Sequence, residues 1–341
     1  MICSSHNLYI SCMIYIDTKC RSWKIPTNQT AILKVVTMEF RKIQFTGRSS
    51  YIISLPKKWI KENNLKQGDV VPLIINPDGS ITIFPKEPKE ISEKKELIIS
   101  EEYSPDMAVR LIISAYIQGY DVLEVKFTKE LPHYKVKIRK VIQSLPGVEI
   151  ILDQPTRIVG KSLLADEEVN LREILERINS IIVSMLEDLY FMKKSQTKEL
   201  IRDINDLENE LDRFYFLTIR AVNKILSKRS LIEESGIIKR SFDLIGILFI
   251  VRNIERIGDH IIRIAENFDD DIEIEYVKEM YIEMLSQITE RDLKKIDSLM
   301  LALKEKIRQI DYKKSIAMDS YRRILEYLEN IGETIINMAL S

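Results

Sequence analysis

The chain lacks three features that would assign it to a class at once. It has no apolar run long enough to cross a bilayer, its formal net charge is only −1, and its 3 cysteines all precede Met38. The first absence excludes a transmembrane helix, and the second means that binding of nucleic acid must depend on a local basic patch. Irregularly spaced cysteines with only His6 nearby make neither a disulfide framework nor a zinc site.

The remaining composition describes a folded protein of more than one domain. With 341 residues, 45% of them apolar and 30% charged, the chain is typical of a globular protein with two or three domains. The N-terminus has no basic region of a secretory signal, so we expect a cytoplasmic protein. Residues 1–37 lack clean periodicity, and two interpretations are open for them: an over-extended start, or a loose tail before a domain that begins at Met38.

Residues 38–86 have the pattern of a small β domain. Short alternating segments flank a helix that begins at Pro56, and the segment from Asn76 to Ser80 is typical of a hairpin turn. The order of a Gly-Arg pair at Gly47, a Leu-Pro-Lys-Lys-Trp entry to the helix and a Leu-x-x-Gly-Asp-x-Val motif resembles the SpoVT/AbrB swapped-hairpin domain. This resemblance implies a homodimer formed by exchange of hairpins, and contact with double-stranded DNA.

The same resemblance makes the basic residues of this domain candidates for DNA contact. The candidates are Arg41, Lys42, Arg48, Lys57, Lys58 and Lys61. Arg48 occupies the Gly-Arg position of the family and is therefore the first of them. Glu39 and Glu62 lie in the same stretch, and a domain of this fold that serves only to dimerise is the alternative.

A charged, proline-bearing segment at 87–95 is typical of a linker, and residues 96–165 have the pattern of a small α/β module. We predict strands at 96–100, 121–127 and 148–152, with helices between them. The module contains no motif of known chemistry. Its sequence leaves two roles open, a joint between the first domain and the rest of the chain, or a dimer interface.

The last half of the chain predicts two helical bundles. Apolar residues at helical spacing predict three antiparallel helices within 166–269. Because Ile331-Gly-Glu333 repeats Ile257-Gly-Asp259, we expect a second, degenerate three-helix bundle in 270–341. The predicted helices start at Leu171, span about 198–226, run from Gly236 to near Asn267, and then cover 273–288, 291–310 and 315–340.

Two helices of the first bundle each carry a pair of carboxylates. Glu208 and Asp212 are four residues apart, as are Glu255 and Asp259, so each pair lies on one face of its helix. Facing pairs would direct four oxygen donors into one space, as in the metal sites of helix bundles. Gly258 lies within the second pair, where glycine costs about 1 kcal/mol relative to alanine, and it therefore indicates close approach of a helix or ligand.

The sequences Leu207-Glu-Asn-Glu-Leu-Asp212 and Ile254-Glu-Arg-Ile-Gly-Asp-His-Ile261 resemble the PhoU family of phosphate-uptake regulators. The resemblance implies that the four carboxylates bind metal, iron among the candidates, and an all-oxygen set suits Mn or Mg as well. We interpret His260 as a flanking or partly buried histidine and not as a ligand. The alternative for each pair is a solvated helix face, neutralised by nearby arginines.

The second bundle departs from this pattern. Ungapped alignment places Met300 and Lys304 opposite Glu208 and Asp212, and neither residue type can replace a carboxylate at a hard cation. A complete second metal site is therefore not expected.

These features together predict a multidomain α+β protein with an AbrB-like β domain, a small α/β module and tandem PhoU-like bundles. We expect a cytoplasmic, non-enzymatic transcriptional regulator of phosphate transport, with DNA binding, a metal-binding sensor bundle and no membrane insertion. The alternative is an adaptor without DNA binding that docks on a phosphate ABC transporter and regulates it negatively. A di-iron enzyme is disfavoured because the bundle helices contain no Glu-x-x-His pair.

Overall fold

The computed structural model of the protein describes residues 39–47, 50–75, 79–86, 93–164, 169–195, 199–228 and 237–340. Two compact units are present, Met1–Asp69 and Val70–Ser341. The predicted tail at 1–37, Arg48 and most of the predicted linker lie outside the described residues.

The described part of the first unit is a hairpin followed by a short helix. Strand β1 (Gln44–Thr46) pairs antiparallel with β2 (Ser50–Ile52), and the rings of Phe45 and Tyr51 lie opposite each other, 5.2 Å apart. Helix α1 (Lys57–Glu62) directly follows a proline, whose fixed φ suits a helix start. Both strands are shorter than the alternating pattern predicted, and their apolar side chains are exposed.

The second unit begins with another small hairpin. Strand β3 (Leu73–Ile75) pairs antiparallel with β4 (Ile81–Ile83), and Gly79 between them has a φ of +78°, which favours glycine. Leu73, Ile75 and Ile81 are more than half exposed. Each hairpin thus carries apolar side chains that the described residues leave exposed.

The α/β module follows, with the elements β5 (Lys94–Ile99), α2 (Pro105–Ile117), β6 (Val122–Phe127), α3 (Pro132–Ser144), β7 (Val148–Gln154) and β8 (Arg157–Ser162). The strand order is β5-β6-β8-β7, with β5 parallel to β6, and β8 antiparallel to both of its neighbours. The helices pack with the sheet around one apolar core. Strand β8 was not predicted, because Gly160 and two charged residues interrupt its apolar alternation.

Six further helices form the two predicted bundles. They are α4 (Leu171–Ser195), α5 (Leu200–Lys228) and α6 (Ser241–Glu266) in the first, and α7 (Ile274–Glu290), α8 (Leu293–Gln309) and α9 (Ile316–Ala339) in the second. Asn170 caps α4, since its Oδ1 accepts a hydrogen bond of 2.9 Å from the backbone N–H of Arg172. The predicted fold class is confirmed, and the helix boundaries differ from the predicted ones by only a few residues.

The two bundles share one continuous apolar core, and α6 of the first bundle packs against α9 of the second. The helices come close where α6 carries Gly246, because a Cβ there would lie 2.4 Å from the Sδ of Met338 on α9. The bundles therefore pack as a single body and not as two independent domains.

A buried ion pair also holds the bundles together. Arg291, between α7 and α8, lies 3.0 Å from the carboxylate of Asp243 on α6, whose side chain is 0% exposed. Its guanidinium also donates to the carbonyl oxygens of Met338 (2.8 Å) and Ile237 (3.0 Å). These contacts offset the cost of a non-glycine residue with a φ of +56°.

Candidate metal centre and nucleic-acid interface

The candidate metal centre lies where α5 and α6 come closest together. Gly258 of α6 faces Leu211 of α5, and a Cβ on the glycine would lie 2.4 Å from the Leu211 Cδ2. Leu211 is 1% exposed, so its side chain has little room to move. The predicted reason for this glycine, close approach of a second helix, is confirmed.

The same helix contact sets the register of the two carboxylate pairs. Tyr215 of α5 lies opposite Arg252 of α6, whose guanidinium approaches the phenol oxygen at 3.5 Å. Because Leu211 is level with Gly258 and Tyr215 with Arg252, the two helices run antiparallel. The pairs Glu208–Asp212 and Glu255–Asp259 are therefore level with each other; we call these four residues the carboxylate cluster.

Burial raises the pKa of each carboxyl group in the carboxylate cluster, and repulsion by neighbouring carboxylates adds to this effect for Glu208, Asp212 and Glu255. The pKa of Glu208 rises to about 7 through burial and then through the charges of Asp212, Asp259 and Glu255. Burial first, and then a neighbouring carboxylate, raise the pKa of Glu255 to about 7 and that of Asp212 to about 6. Burial also raises the pKa of Asp259, against the effect of nearby arginines. The four groups thus share one electrostatic environment.

One arginine partly neutralises the carboxylate cluster. Arg252 donates a hydrogen bond of 3.0 Å to Glu255, and its guanidinium lies 5.6 Å from the ring centre of Tyr215. Arg256 instead lies over the ring of Tyr327 on α9, 5.7 Å from its centre. The predicted neutralisation by salt bridges therefore holds for Arg252.

The cluster suits a hard cation in its chemistry, although its side chains are not arranged around one. Within the described parts of the chain, no group of three or more His, Cys, Asp or Glu side chains could hold a metal ion as it stands. Four partly buried oxygen donors that repel one another are nevertheless the donor set that Mn, Mg or ferric iron prefers. To bind a cation, Glu255 would have to leave Arg252 and the other side chains would have to turn towards it.

His260 points away from the carboxylate cluster. It is 8% exposed, and its ring lies 5.6 Å from the ring of Tyr327 on α9. Burial lowers the pKa of His260 to about 4, so it is neutral at physiological pH. The sequence indicates a flanking or partly buried histidine, and the structure shows His260 buried against α9.

The corresponding place in the second bundle has a different chemistry. Gly332 is the counterpart of Gly258, and a Cβ on it would lie 3.2 Å from Met300 Cγ. The Lys304 ammonium lies 3.4 Å from the carboxylate of Glu329. Met300 and Lys304 thus occupy the positions that the alignment predicted, and a lysine provides positive charge there.

A second acidic pair in the first bundle was missed in the sequence. Asp188 of α4 lies beside Asp203 of α5, and burial together with the charge of Asp203 raises the pKa of Asp188 to about 6. The sequence does not show the register of α4 on α5, so this pair could not be predicted. In the structure an ion pair between Arg177 and Glu210 (2.8 Å) marks that register. Because the helices run antiparallel, this register brings the end of α4 to the start of α5.

Three of the candidate DNA contacts lie on α1. Lys57, Lys58 and Lys61 are all exposed, and Lys57 and Lys61 are four residues apart on one face. Lys58 forms an ion pair of 3.9 Å with Glu62, so its charge is partly compensated.

The other candidates lie around the first hairpin. Arg41 forms an ion pair with Glu39, and Lys42 is exposed just before β1. Arg48 lies outside the described residues. Of the described candidates, Arg41 and Lys58 are therefore partly compensated by neighbouring carboxylates.

Comparison with known families agrees with this architecture. The family described as "Antidote-toxin recognition MazE, bacterial antitoxin" matches residues 44–99, and the PhoU domain matches residues 175–268. No curated protein matches the chain. The chain therefore combines an N-terminal AbrB-like segment of the MazE type with a PhoU domain, as the sequence predicted. The PhoU match ends with the first bundle, so the second is identified by its repeat and its packing.

These families point to regulation and not to catalysis. The PhoU domain suggests control of phosphate homeostasis, and the AbrB-like segment suggests DNA binding and dimerisation. No helix among the described residues is long and apolar enough to span a membrane.

Proposed function

We propose that the protein is a cytoplasmic transcriptional regulator of phosphate transport whose first bundle senses a metal ion. The observation that carries this proposal is the convergence of two carboxylate pairs across α5 and α6 in the PhoU domain, on a chain with an AbrB-like N-terminal segment. Metal binding by the carboxylate cluster and control of DNA occupancy are the two parts of the proposal.

The proposed sensing step follows from electrostatic repulsion. Without a cation, the partly buried carboxylates of α5 and α6 repel one another, and Arg252 compensates only part of their charge. A bound cation would supply positive charge to all four groups at once and draw their oxygens together. Because Gly258 already allows the helices to touch, a small change in their separation changes the fit of Leu211. The carboxylate cluster would in this way control the packing of α5 on α6.

The proposed DNA contact depends on dimerisation of the N-terminal segment. Two chains that bury their exposed apolar hairpins against each other would present two copies of the α1 lysines on one particle. Contacts from lysine and arginine to phosphate release counterions, so the affinity for duplex DNA should fall steeply as salt concentration rises. Arg48→Ala should weaken binding more than Lys86→Ala, which changes a cation outside the candidate set.

One observation favours a second candidate function. The cations of the first unit are partly compensated, since Arg41 pairs with Glu39 and Lys58 with Glu62. Partial compensation of this kind would suit a role in dimerisation alone. The chain would then be an adaptor that docks on a phosphate transporter and regulates it negatively.

Genome-wide DNA occupancy of the full chain, measured in high and in low phosphate, separates the two functions. A regulator should occupy discrete sites near phosphate-transport genes, with occupancy that changes with phosphate and falls in the Arg48→Ala variant. Absence of discrete sites in both conditions, from a chain that is dimeric and folded, would replace the regulator with the adaptor.

A further inference from the structure

Asp121 connects the PhoU bundle to the start of the α/β module. One of its carboxylate oxygens, Oδ1, accepts hydrogen bonds from Arg220 (2.8 Å) and Lys224 (2.9 Å) of α5. The other, Oδ2, accepts a hydrogen bond of 3.0 Å from the backbone N–H of Glu93, the residue before β5. The side chain therefore bridges two elements that are distant in the sequence.

The α5 side of this bridge is firmly held. Arg220 is 3% exposed and also donates to the carbonyl oxygens of Tyr116 and Tyr120, each at 2.9 Å. Its guanidinium lies 5.0 Å from the ring centre of Tyr116. Asn223 donates a further hydrogen bond of 3.1 Å to the carbonyl oxygen of Ile117. The end of α2 is thus fastened to α5 by charged and neutral hydrogen bonds together.

Helix α5 also carries half of the carboxylate cluster. Asp212 precedes Arg220 by eight residues on one uninterrupted helix, a distance of about 12 Å at 1.5 Å per residue. A helix of this length moves as a rigid element, so a shift of α5 against α6 also displaces Arg220. Movement at the carboxylate cluster is therefore carried to Asp121.

The other side of the bridge is the point where the N-terminal segment joins the module. The backbone N–H of Asp121 donates to the carbonyl oxygen of Glu93 at 2.7 Å, and that of Val122 donates to the same oxygen at 3.1 Å. The N-terminal hairpins precede Glu93 in the chain. Asp121 thus holds the residue through which the AbrB-like segment is attached.

We infer that Asp121 is a positioning residue that transmits the state of the carboxylate cluster, through α5 and Arg220, to the N-terminal DNA-binding segment. This inference rests on the proposed function, because it concerns the link between its two parts. The α/β module then acts as a mechanical joint. Most of this module lies outside both family matches.

The test compares Asp121→Asn with Asp153→Asn in the full chain. An amide has one acceptor oxygen in place of two, so asparagine at 121 cannot accept from α5 and from Glu93 through separate oxygens. Asp153 is the matched control, because it also holds two cations of the module, Lys135 and Arg139, each at 2.7 Å. Both cations belong to α3, so this control does not touch α5 or Glu93.

Three quantities are measured for each protein: Mn²⁺ binding by direct titration, affinity for a labelled mixed-sequence duplex with and without Mn²⁺, and hydrogen exchange of β5 with and without Mn²⁺. In the wild type, Mn²⁺ should change the DNA affinity by about fivefold or more, the range of ordinary allosteric coupling. The Asp121→Asn variant should still bind Mn²⁺ and should still bind DNA. The ratio of its DNA affinities with and without Mn²⁺ should fall towards one, and Mn²⁺ should no longer change hydrogen exchange in β5. Asp153→Asn should keep the wild-type ratio, although both variants lose some thermal stability.

Two results would overturn the inference while leaving the proposed function intact. The first is a wild-type ratio that Asp121→Asn retains, and the second is an Mn²⁺ effect on exchange in β5 that Asp121→Asn retains. A wild-type chain that binds both ligands with no coupling between them would overturn the inference and the metal-sensing part of the proposal together. If the wild type binds no DNA, hydrogen exchange of β5 is the deciding measurement. The inference is then overturned if Mn²⁺ changes this exchange in Asp121→Asn as much as it does in the wild type. If the wild type binds no Mn²⁺, the inference and the metal-sensing part of the proposal both fail.

Discussion

Gly258→Ala should destabilise the first bundle, although alanine is the better helix former. The new Cβ would lie 2.4 Å from Leu211 Cδ2, and Leu211 is buried among the core residues of the bundle. Overpacking of this kind costs about 1–3 kcal/mol, whereas the helix propensity of alanine returns about 1 kcal/mol. The expected net effect is a loss of roughly 1 kcal/mol, which lowers the melting temperature by about 2–4 °C for a body of this size.

The repeat supplies a matched control for this prediction. Gly332→Ala places its Cβ 3.1 Å from Met284 Cε and 3.2 Å from Met300 Cγ, which are less severe contacts with flexible methionines. This variant should be neutral or more stable by up to about 1 kcal/mol. Thermal unfolding of the two variants beside the wild type gives the comparison.

Metal binding adds a second measurement to the same pair of variants. Because the alanine at 258 pushes α5 away from α6 between the two carboxylate pairs, it should weaken Mn²⁺ binding, whereas Gly332→Ala should not. The reasoning is refuted if Gly258→Ala stabilises the protein as much as Gly332→Ala does. Such a result would mean that Leu211 moves aside at no cost and that the glycine does not control the approach of the helices.

Three further predictions concern charge. In the metal-free protein the pKa of Asp212 rises from 3.8 to about 6, and those of Glu208 and Glu255 rise from 4.5 to about 7, so the stabilising contribution of these three groups is lost as pH rises through that window. With a chelator present, the melting temperature should therefore fall more over this pH range in the wild type than in Glu255→Gln. An equal fall in both proteins would show that repulsion among the carboxylates does not affect stability. Met300→Glu combined with Lys304→Asp restores the missing carboxylates of the second bundle and should raise the metal bound per chain in elemental analysis; unchanged content would contradict this. Arg291→Ala leaves Asp243 buried without its cation and should cost about 3–5 kcal/mol in denaturant unfolding, and a loss below about 1 kcal/mol would show that water replaces the guanidinium.

The helices and the two separate carboxylate pairs were predictable because both depend on short-range spacing. Apolar residues three and four apart define α4 to α9, and carboxylates four apart share a helix face in any register. Gly258 was informative for the same reason, since an interior glycine has a local cost that indicates a close neighbour. These predictions needed no knowledge of which elements meet.

The remaining features depend on contacts between distant parts of the chain. The bridge from Arg220 through Asp121 to Glu93 joins three elements, and none of these residues stands out from an ordinary surface charge in the sequence. The proximity of Asp188 to Asp203 likewise depends on the register of two helices. Strand β8 was missed because its pairing with β6 and β7 outweighs a weak local pattern.

The metal content of the full chain tests the central claim most directly. Wild type, Glu255→Gln and Glu329→Gln are compared in two ways: by elemental analysis after saturation with Mn²⁺ and removal of unbound metal, and by melting temperature with free Mn²⁺ present. Wild type and Glu329→Gln should retain equal metal and gain stability, about 2.7 kcal/mol at a free Mn²⁺ concentration of about 100 times Kd, whereas Glu255→Gln should lose most of both. Equal losses from Glu255→Gln and Glu329→Gln, or no retained metal in any of the three proteins, would contradict the assignment of the metal centre to α5 and α6.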